Sequence, residues 1–262
     1  MTQDTSPAPT PPTPGGDTLH GKTALITGAA RRVGAQIARA LHGAGANVVL
    51  HYRSSAEDAT RLAEELNAAR PNSAALAECD LLDVTEVKKL PASAQQAFGG
   101  LDILVNNAST FYPTPVGDIT EIDWDDLIGT NLRAPLFLAQ AAAPLLHERA
   151  GLIINVADIH GLRPLRRYPV YSIAKAGVIM LTRALARELG PHVRVNAVAP
   201  GPVMWPEDGL DEALQMKITQ RTALKRPGSP EDVARVCLFF ATGAPYVTGQ
   251  ILAVDGGRSI GW

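Results

Sequence analysis

The amino-acid sequence predicts one α/β domain built on a doubly wound parallel sheet of about seven strands, with helices on both faces. Three observations predict it. Seven short apolar runs recur along the 262 residues, and most are continuous rather than alternating, the pattern of strands buried on both faces. Longer segments of helical periodicity separate these runs. Neither an internal repeat nor a second linker interrupts the series, which assigns residues 21–262 to one domain.

Taken in order, a first strand is expected at 23–27 and a helix at 33–44. A strand at 47–51 precedes a helix at 56–69, and a strand at 73–77 precedes a helix at 83–98. The fourth strand, 103–106, leads to a long helix at 123–147, with Asp123 as its expected N-cap. Strands at 152–156 and 193–199 flank a helix at 168–189. The last helix, 230–241, opens on Ser229-Pro230, a capping residue followed by proline at the first helical position, and a strand at 250–254 closes the domain. Repeated strand–helix units of this kind imply right-handed crossovers. Ahead of them the first 20 residues are rich in Pro and Thr, lack the basic start and apolar centre of a secretory signal, and read as a disordered tail.

Composition narrows the function classes. The chain is 46% hydrophobic and 19% charged, enough for a sizeable core. A net charge of -2 gives no broad attraction for nucleic acid or anionic membrane, and no apolar run approaches the ~18 residues of a membrane span. Cys79 and Cys237 follow no metal-ligand spacing and read as reduced, buried thiols of a cytoplasmic protein; the six histidines are scattered, so no metal is expected.

The turn Thr27-Gly28-Ala29-Ala30-Arg31-Arg32-Val33-Gly34 follows the first strand and opens a helix. In that context backbone N–H groups at a helix N-terminus face a pyrophosphate, with Gly28 permitting the tight turn and Gly34 close helix packing. Dinucleotide sites for NAD carry a carboxylate about 20 residues on. Here the second strand ends Leu50-His51-Tyr52-Arg53-Ser54-Ser55, and the first acid is Glu57, inside the next helix. Arg31, Arg32 and Arg53, with Ser54 or Ser55 as hydroxyl donors, suit a 2′-phosphate, which favours NADPH over NADH.

Tyr171 and Lys175, in Tyr171-Ser172-Ile173-Ala174-Lys175, stand one helical turn apart on one face. An adjacent ammonium is expected to lower the phenol pKa and make Tyr171 a proton donor near neutral pH. Asp80-Leu81, Asn106-Asn107-Ala108 and Pro200-Gly201 close other strands at the same sheet edge, where ligands bind in open parallel sheets.

Together with Asn131, these motifs in this order resemble the short-chain dehydrogenase/reductase family over residues 21–262. The resemblance implies a Rossmann fold, hydride transfer from a nicotinamide, Tyr171 as proton donor, and Lys175 holding the ribose. It also implies that Asn131 supports a proton-relay water, that Asp80 and Leu81 contact adenine, and that Asn106 lies along the cofactor. Gly28, Val33, Ala108, Pro200 and Gly201 would complete the cofactor contacts, and the protein would be a homo-oligomer, a homotetramer or else a dimer.

Two positions depart from the general family pattern: Arg32 stands for the middle glycine of the first turn, and Asp158 for the usual catalytic serine. Both are similar to the pteridine reductase subgroup, as are His51-Tyr52-Arg53-Ser54, Ala108-Ser109-Thr110-Phe111-Tyr112-Pro113-Thr114-Pro115 and Asp255-Gly256-Gly257-Arg258-Ser259. That resemblance implies that Arg32 contacts pyrophosphate and pterin, Ser109 hydrogen-bonds the substrate, Phe111 stacks on it, and Asp158 joins Tyr171 and Lys175 in catalysis. Reducing a C=N bond requires protonation of a ring nitrogen, and a carboxyl group beside the tyrosine can hold and pass that proton. Trp205 either lines the substrate pocket or anchors its segment. Asp123, Asp125 and Asp126 suit a helix start, and Glu207, Asp208, Asp211 and Glu212 fall in a region expected to be mobile.

The leading expectation is NADPH-dependent reduction of dihydropterin, and of oxidised pterin or dihydrofolate, to the tetrahydro form. A carbonyl reductase acting on 3-oxoacyl thioesters is the second reading; it predicts serine at 158 and no aromatic at 111. A non-catalytic NADPH-binding sensor is the third.

Overall fold

A computed structural model describes residues 19–205, 209 and 211–260. Its seven strands are β1 (Thr23–Ile26), β2 (Asn47–Tyr52), β3 (Ala74–Glu78), β4 (Ile103–Asn106), β5 (Leu152–Val156), β6 (Arg194–Pro200) and β7 (Ile251–Val254). They form one sheet in the order β3-β2-β1-β4-β5-β6-β7, every pair parallel. The eight helices are α1 (Arg32–Gly43), α2 (Ala56–Ala69), α3 (Val84–Phe98), α4 (Glu121–Ile128), α5 (Ala134–Glu148), α6 (Pro169–Leu189), α7 (Glu212–Gln220) and α8 (Pro230–Thr242).

Successive residues of a strand point to opposite faces, and the core divides accordingly. Ile26, Leu50, Val105 and Ile154 pack under Ile37 and Leu41 of α1, Leu62 of α2 and Phe240 of α8. Leu25, Val49, Leu104 and Ile153 face the other way, onto Val87 and Leu90 of α3 and Leu138 and Leu146 of α5. This is why the strands read as continuous apolar runs. The sheet order reverses between β1 and β4, so the loops beyond those strands part and leave a crevice at the carboxyl edge.

Four expectations change. The long helix is two helices joined by a π-helical turn, Gly129–Arg133, closed by the Ala134 N–H bonding to Gly129 O. Its N-cap is Thr120, and Asp123 is the third helical residue: each side chain accepts from the other's backbone in a capping box, which satisfies two exposed amides where a lone Asp123 cap would satisfy one. The region after Pro200-Gly201 carries a helix, α7, capped by Asp211 on the Leu214 N–H at 3.3 Å. Glu207 and Asp208 lie outside the described residues, as does the expected tail apart from Leu19 and His20. Leu19 is buried and its N–H bonds Ala44 O at 3.0 Å, so ordered packing starts ahead of Gly21. Both cysteines are free and buried. No helix among the described residues is long and apolar enough to cross a membrane, and none of their His, Cys, Asp and Glu side chains form a group of three that would hold a metal ion.

Candidate active site

The first turn is held from three sides. Thr27 Oγ1 accepts the amides of Asn107 (2.9 Å) and Ala108 (3.0 Å), and Asn107 Nδ2 donates back to the carbonyls of Thr27 (2.9 Å) and Gly28 (3.1 Å). Gly28 takes φ 60° and gives its N–H to His51 Nδ1 at 3.0 Å. His51 Nε2 lies 3.1 Å from Cys79 O, so the ring carries its proton there and is neutral. Burial holds the His51 pKa below the ordinary imidazole value, against the opposing pull of the Cys79 carbonyl and the Asp80 charge. A Cβ on Gly34 would fall 2.1 Å from Gly28 O, so the helix can approach the turn this closely only with glycine.

Arg32 occupies the left-handed region at φ 55°, where glycine would sit without strain. Its Nη2 donates to Trp205 O at 3.0 Å across the crevice. Trp205 therefore does both things that its sequence position left open: its carbonyl anchors the segment and its residue lines the cavity. Arg31 pairs with Asp58 of α2 at 3.6 Å, and Arg53 and Ser54 are exposed beside it at the end of β2.

A cavity of about 850 Å³ runs from this turn along the sheet edge. Gly28, Arg31, Arg32 and Val33 line one end with Arg53, Ser54 and Ser55, and Asp80 and Leu81 close it from the third strand. Ala108, Pro200 and Gly201 line its middle. Ser109, Phe111, Asp158, Tyr171 and Lys175 gather at the other end, and Trp205 lines the wall where it meets Arg32.

Two of the expected residues do not reach it. Asn106 is buried within the sheet, its Nδ2 donating to Asn155 Oδ1 at 2.8 Å, and its neighbour Asn107 lines the cavity instead. The alternation of a strand decides this: the last residue of β4 points into the sheet's packing, and the next one faces the crevice. Asn131, on the π turn, is 1% exposed, its side chain bonded to Ser109, Thr110 and Leu127, and it does not itself line the cavity.

Asp158 follows β5 and caps a short 3-10 turn, Ile159–Gly161, by accepting the His160 N–H at 2.7 Å on Oδ1. That turn lies directly on α6: a Cβ on Gly161 would meet the Lys175 backbone carbonyl at 2.7 Å. The close approach brings Asp158 Oδ2 to 2.8 Å from the Tyr171 hydroxyl, which donates to it. Lys175 is buried, donates to Val156 O at 3.0 Å, and sits 5.6 Å from the Tyr171 ring centroid.

The electrostatics reverse one expectation. Burial pushes the Tyr171 pKa well above the ordinary phenol value, and the Asp158 charge and hydrogen bond push it further, with Ser109 opposing. Lys175 is not among the groups that move it; its own pKa is brought down to about 8 by burial, against the opposing Asp158 charge. Tyr171 is therefore a firmly protonated acid rather than an incipient phenolate.

Phe111 is 47% exposed. One face stacks on Tyr168, with centroids 4.6 Å apart and planes 12° apart, and Tyr171 meets the ring edge-on at 4.8 Å. Sequence reasoning missed Tyr168, although its spacing of three from Tyr171 places both on one side of the α6 entrance. It also missed His51 and Asn107, whose roles lie in backbone contacts that no spacing encodes, and His160, Leu165 and Arg258, which line the cavity.

Residues 28–259 match the model of a family described as enoyl-(acyl carrier protein) reductase. The chain is 38% identical to pteridine reductase 1 of Leishmania tarentolae, over 90% of this chain and 96% of that one. It is equally 38% identical to the 3-oxoacyl-(acyl-carrier-protein) reductase FabG of Staphylococcus aureus, over 90% and 97%. Among solved structures, a blue fluorescent protein from a metagenomic library in complex with NADPH superposes with a TM-score of 0.87, at 34% identity, covering 92% of this chain and 99% of that one.

Proposed function

The chain belongs to the short-chain dehydrogenase/reductase family, and from that premise we propose that it is an NADPH-dependent pteridine reductase, acting on dihydropterins of the dihydrobiopterin or dihydromonapterin kind and on dihydrofolate. The observation that carries the reading is the Tyr171–Asp158 hydrogen bond of 2.8 Å. A carbonyl reductase needs a neutral hydroxyl beside the tyrosine to steady an oxyanion. A carboxyl group there serves a different need, the storage and release of a proton for a ring nitrogen.

The cofactor end of the cavity fits a phosphorylated dinucleotide. The first turn runs directly into the N-terminus of α1 at Arg32, with Gly28, Arg31, Arg32 and Val33 on the cavity wall, and such an N-terminus suits a pyrophosphate. Arg31, Arg32, Arg53, Ser54 and Ser55 supply charge and donors for a 2′-phosphate, and no carboxylate stands at the end of β2. When bound, the nicotinamide supplies hydride to the carbon of the C=N bond. The chain's own part is the proton. As long as Asp158 is ionised, the Tyr171 proton points at Oδ2. A proton arriving on Asp158 reverses that bond, so the carboxyl donates to Tyr171 Oη and the phenolic proton is released towards the ring nitrogen. Lys175, held by Val156 O, ties α6 to the end of β5 and lines the same cavity, where it would hold the ribose of a bound cofactor. Phe111 offers an exposed aromatic surface to a flat substrate, and Arg32 and Ser109 flank it.

The second reading, a 3-oxoacyl thioester reductase, is favoured by the equal identity to FabG. Following NADPH oxidation with dihydrobiopterin, dihydromonapterin and a 3-oxoacyl thioester separates the two: turnover of pterins supports the proposal, turnover of the thioester alone ends it, and no turnover of any revives the sensor. We further read the protein as a cytoplasmic homotetramer. Two sets of exposed apolar side chains support the assembly, Leu136, Ile173 and Met180 on α5 and α6, and Phe239, Tyr246 and Leu252 near α8 and β7. Analytical ultracentrifugation tests it.

A further inference from the structure

Asn131 is buried, and its amide orientation is fixed by what surrounds it. Nδ2 donates to two backbone carbonyls, Leu127 O at 2.9 Å and Thr110 O at 3.0 Å, and approaches Thr110 Oγ1 at 3.3 Å. A carbonyl can only accept, so the amide oxygen must lie on the other side. There it receives the Ser109 hydroxyl at 2.6 Å, against 3.4 Å to Thr110 O, and the same hydroxyl neighbours the Tyr171 phenol. Serine has one hydroxyl proton. With that proton on the 2.6 Å contact to Asn131, the Ser109 oxygen presents its lone pairs to the Tyr171 hydroxyl and to the cavity that both line.

We propose that Asn131 is a positioning residue that locks Ser109 as a hydrogen-bond acceptor, so that this point of the pocket selects a ring N–H and repels a substrate oxygen. The inference deepens the pterin reading and rests on it. A dihydropterin carries ring and exocyclic N–H groups, whereas a 3-oxoacyl thioester presents carbonyl oxygens near the reacting carbon. Two facing acceptors leave both unsatisfied once water is excluded, so the device discriminates more than it binds. It also gives Asn131 a route to the site through Ser109. The π turn makes this possible, since its extra residue swings the Asn131 amide under the 109–110 loop.

The test compares wild type, Ser109→Ala, Ser109→Thr and the double variant Ser109→Ala/Asn131→Ala. For each, kcat and KM are measured with dihydrobiopterin and acetoacetyl-CoA, or a competitive inhibition constant where a compound is not reduced. Ser109→Ala is expected to lower kcat/KM for dihydrobiopterin about tenfold, mainly through KM, while the thioester value holds or rises. Ser109→Thr, which keeps the hydroxyl, is expected to restore the preference. Adding Asn131→Ala to Ser109→Ala should change the preference no further. An equal loss for both compounds in Ser109→Ala overturns the inference, and so does a further tenfold fall in kcat alone in the double variant, which would mark a relay that bypasses Ser109. Should wild type reduce only the thioester, the pterin reading fails, and a rise or fall of thioester activity in Ser109→Ala still decides the polarity.

Discussion

The Tyr171 hydroxyl donates to Asp158 Oδ2 across 2.8 Å, joining the end of β5 to the first turn of α6. In the proposed reaction the partner of Tyr171 is thus a carboxyl group, which can hold a proton where a serine cannot. Replacing Asp158 with Asn keeps the volume and an acceptor oxygen but abolishes that capacity. Asp158→Asn is expected to lower pterin kcat about 100-fold or more, and Asp158→Ser likewise, with the Kd for NADPH within about twofold. Parallel losses in kcat and NADPH affinity would make the residue structural.

His51 accepts the Gly28 amide only as a neutral ring. Its folded-state pKa lies below the unfolded value of about 6.5, so its contribution to stability is complete above that pH and is lost as pH falls through the folded value. A His51→Asn variant, which cannot titrate there, is expected to show a flatter decline of Tm between pH 7 and 5, measured by scanning calorimetry. Superimposable slopes would show that the bond is not the titrating contact.

Arg32 sits at φ 55° with its guanidinium on Trp205 O. Arg32→Gly relieves the left-handed strain, and stability is expected to rise by up to about 1 kcal/mol. The same change removes a charge from the phosphate end and a tether from the 205 segment, so KM for NADPH should rise about tenfold. Urea denaturation and steady-state kinetics together check both; a drop in stability would show that the tether outweighs the strain.

Lys175 has a folded pKa of about 8 against an ordinary 10.5. Below pH 8 its buried ammonium carries the full desolvation cost, which is relieved as pH rises from about 8 to 10.5, a change on the order of 3 kcal/mol. Lys175→Met removes this dependence while abolishing turnover. The Tm of the variant relative to wild type is expected to be most favourable below pH 8 and to shrink towards pH 10. A constant difference across that range would contradict the buried charge.

The sheet was legible because burial on both faces writes itself as uninterrupted apolar runs, and all seven strands stand where those runs do. The π turn at Gly129–Arg133 left no such mark, since one extra residue in a helical ladder alters no periodicity over a few turns. Thr120 was missed as a cap because Asp123 satisfies the same compositional rule from inside the helix. At the site, Tyr171 and Lys175 were singled out by their spacing and Asp158 by the family resemblance, but the direction of the Tyr171 shift was not foreseen. Spacing locates charges and says nothing of which one is desolvated. Asn106 and Asn107 were told apart only by the pleat at the end of β4.

Phe111 stacks on Tyr168 and still leaves 47% of its surface exposed at the cavity wall. A flat ring laid on that exposed surface would be shielded on the side it covers, so a reductant could approach from the opposite side alone. The consequence is stereochemical: a dihydropterin reduced here should yield a single epimer at the newly saturated carbon, and loss of the aromatic platform in Phe111→Ala should erode that handedness as well as the rate.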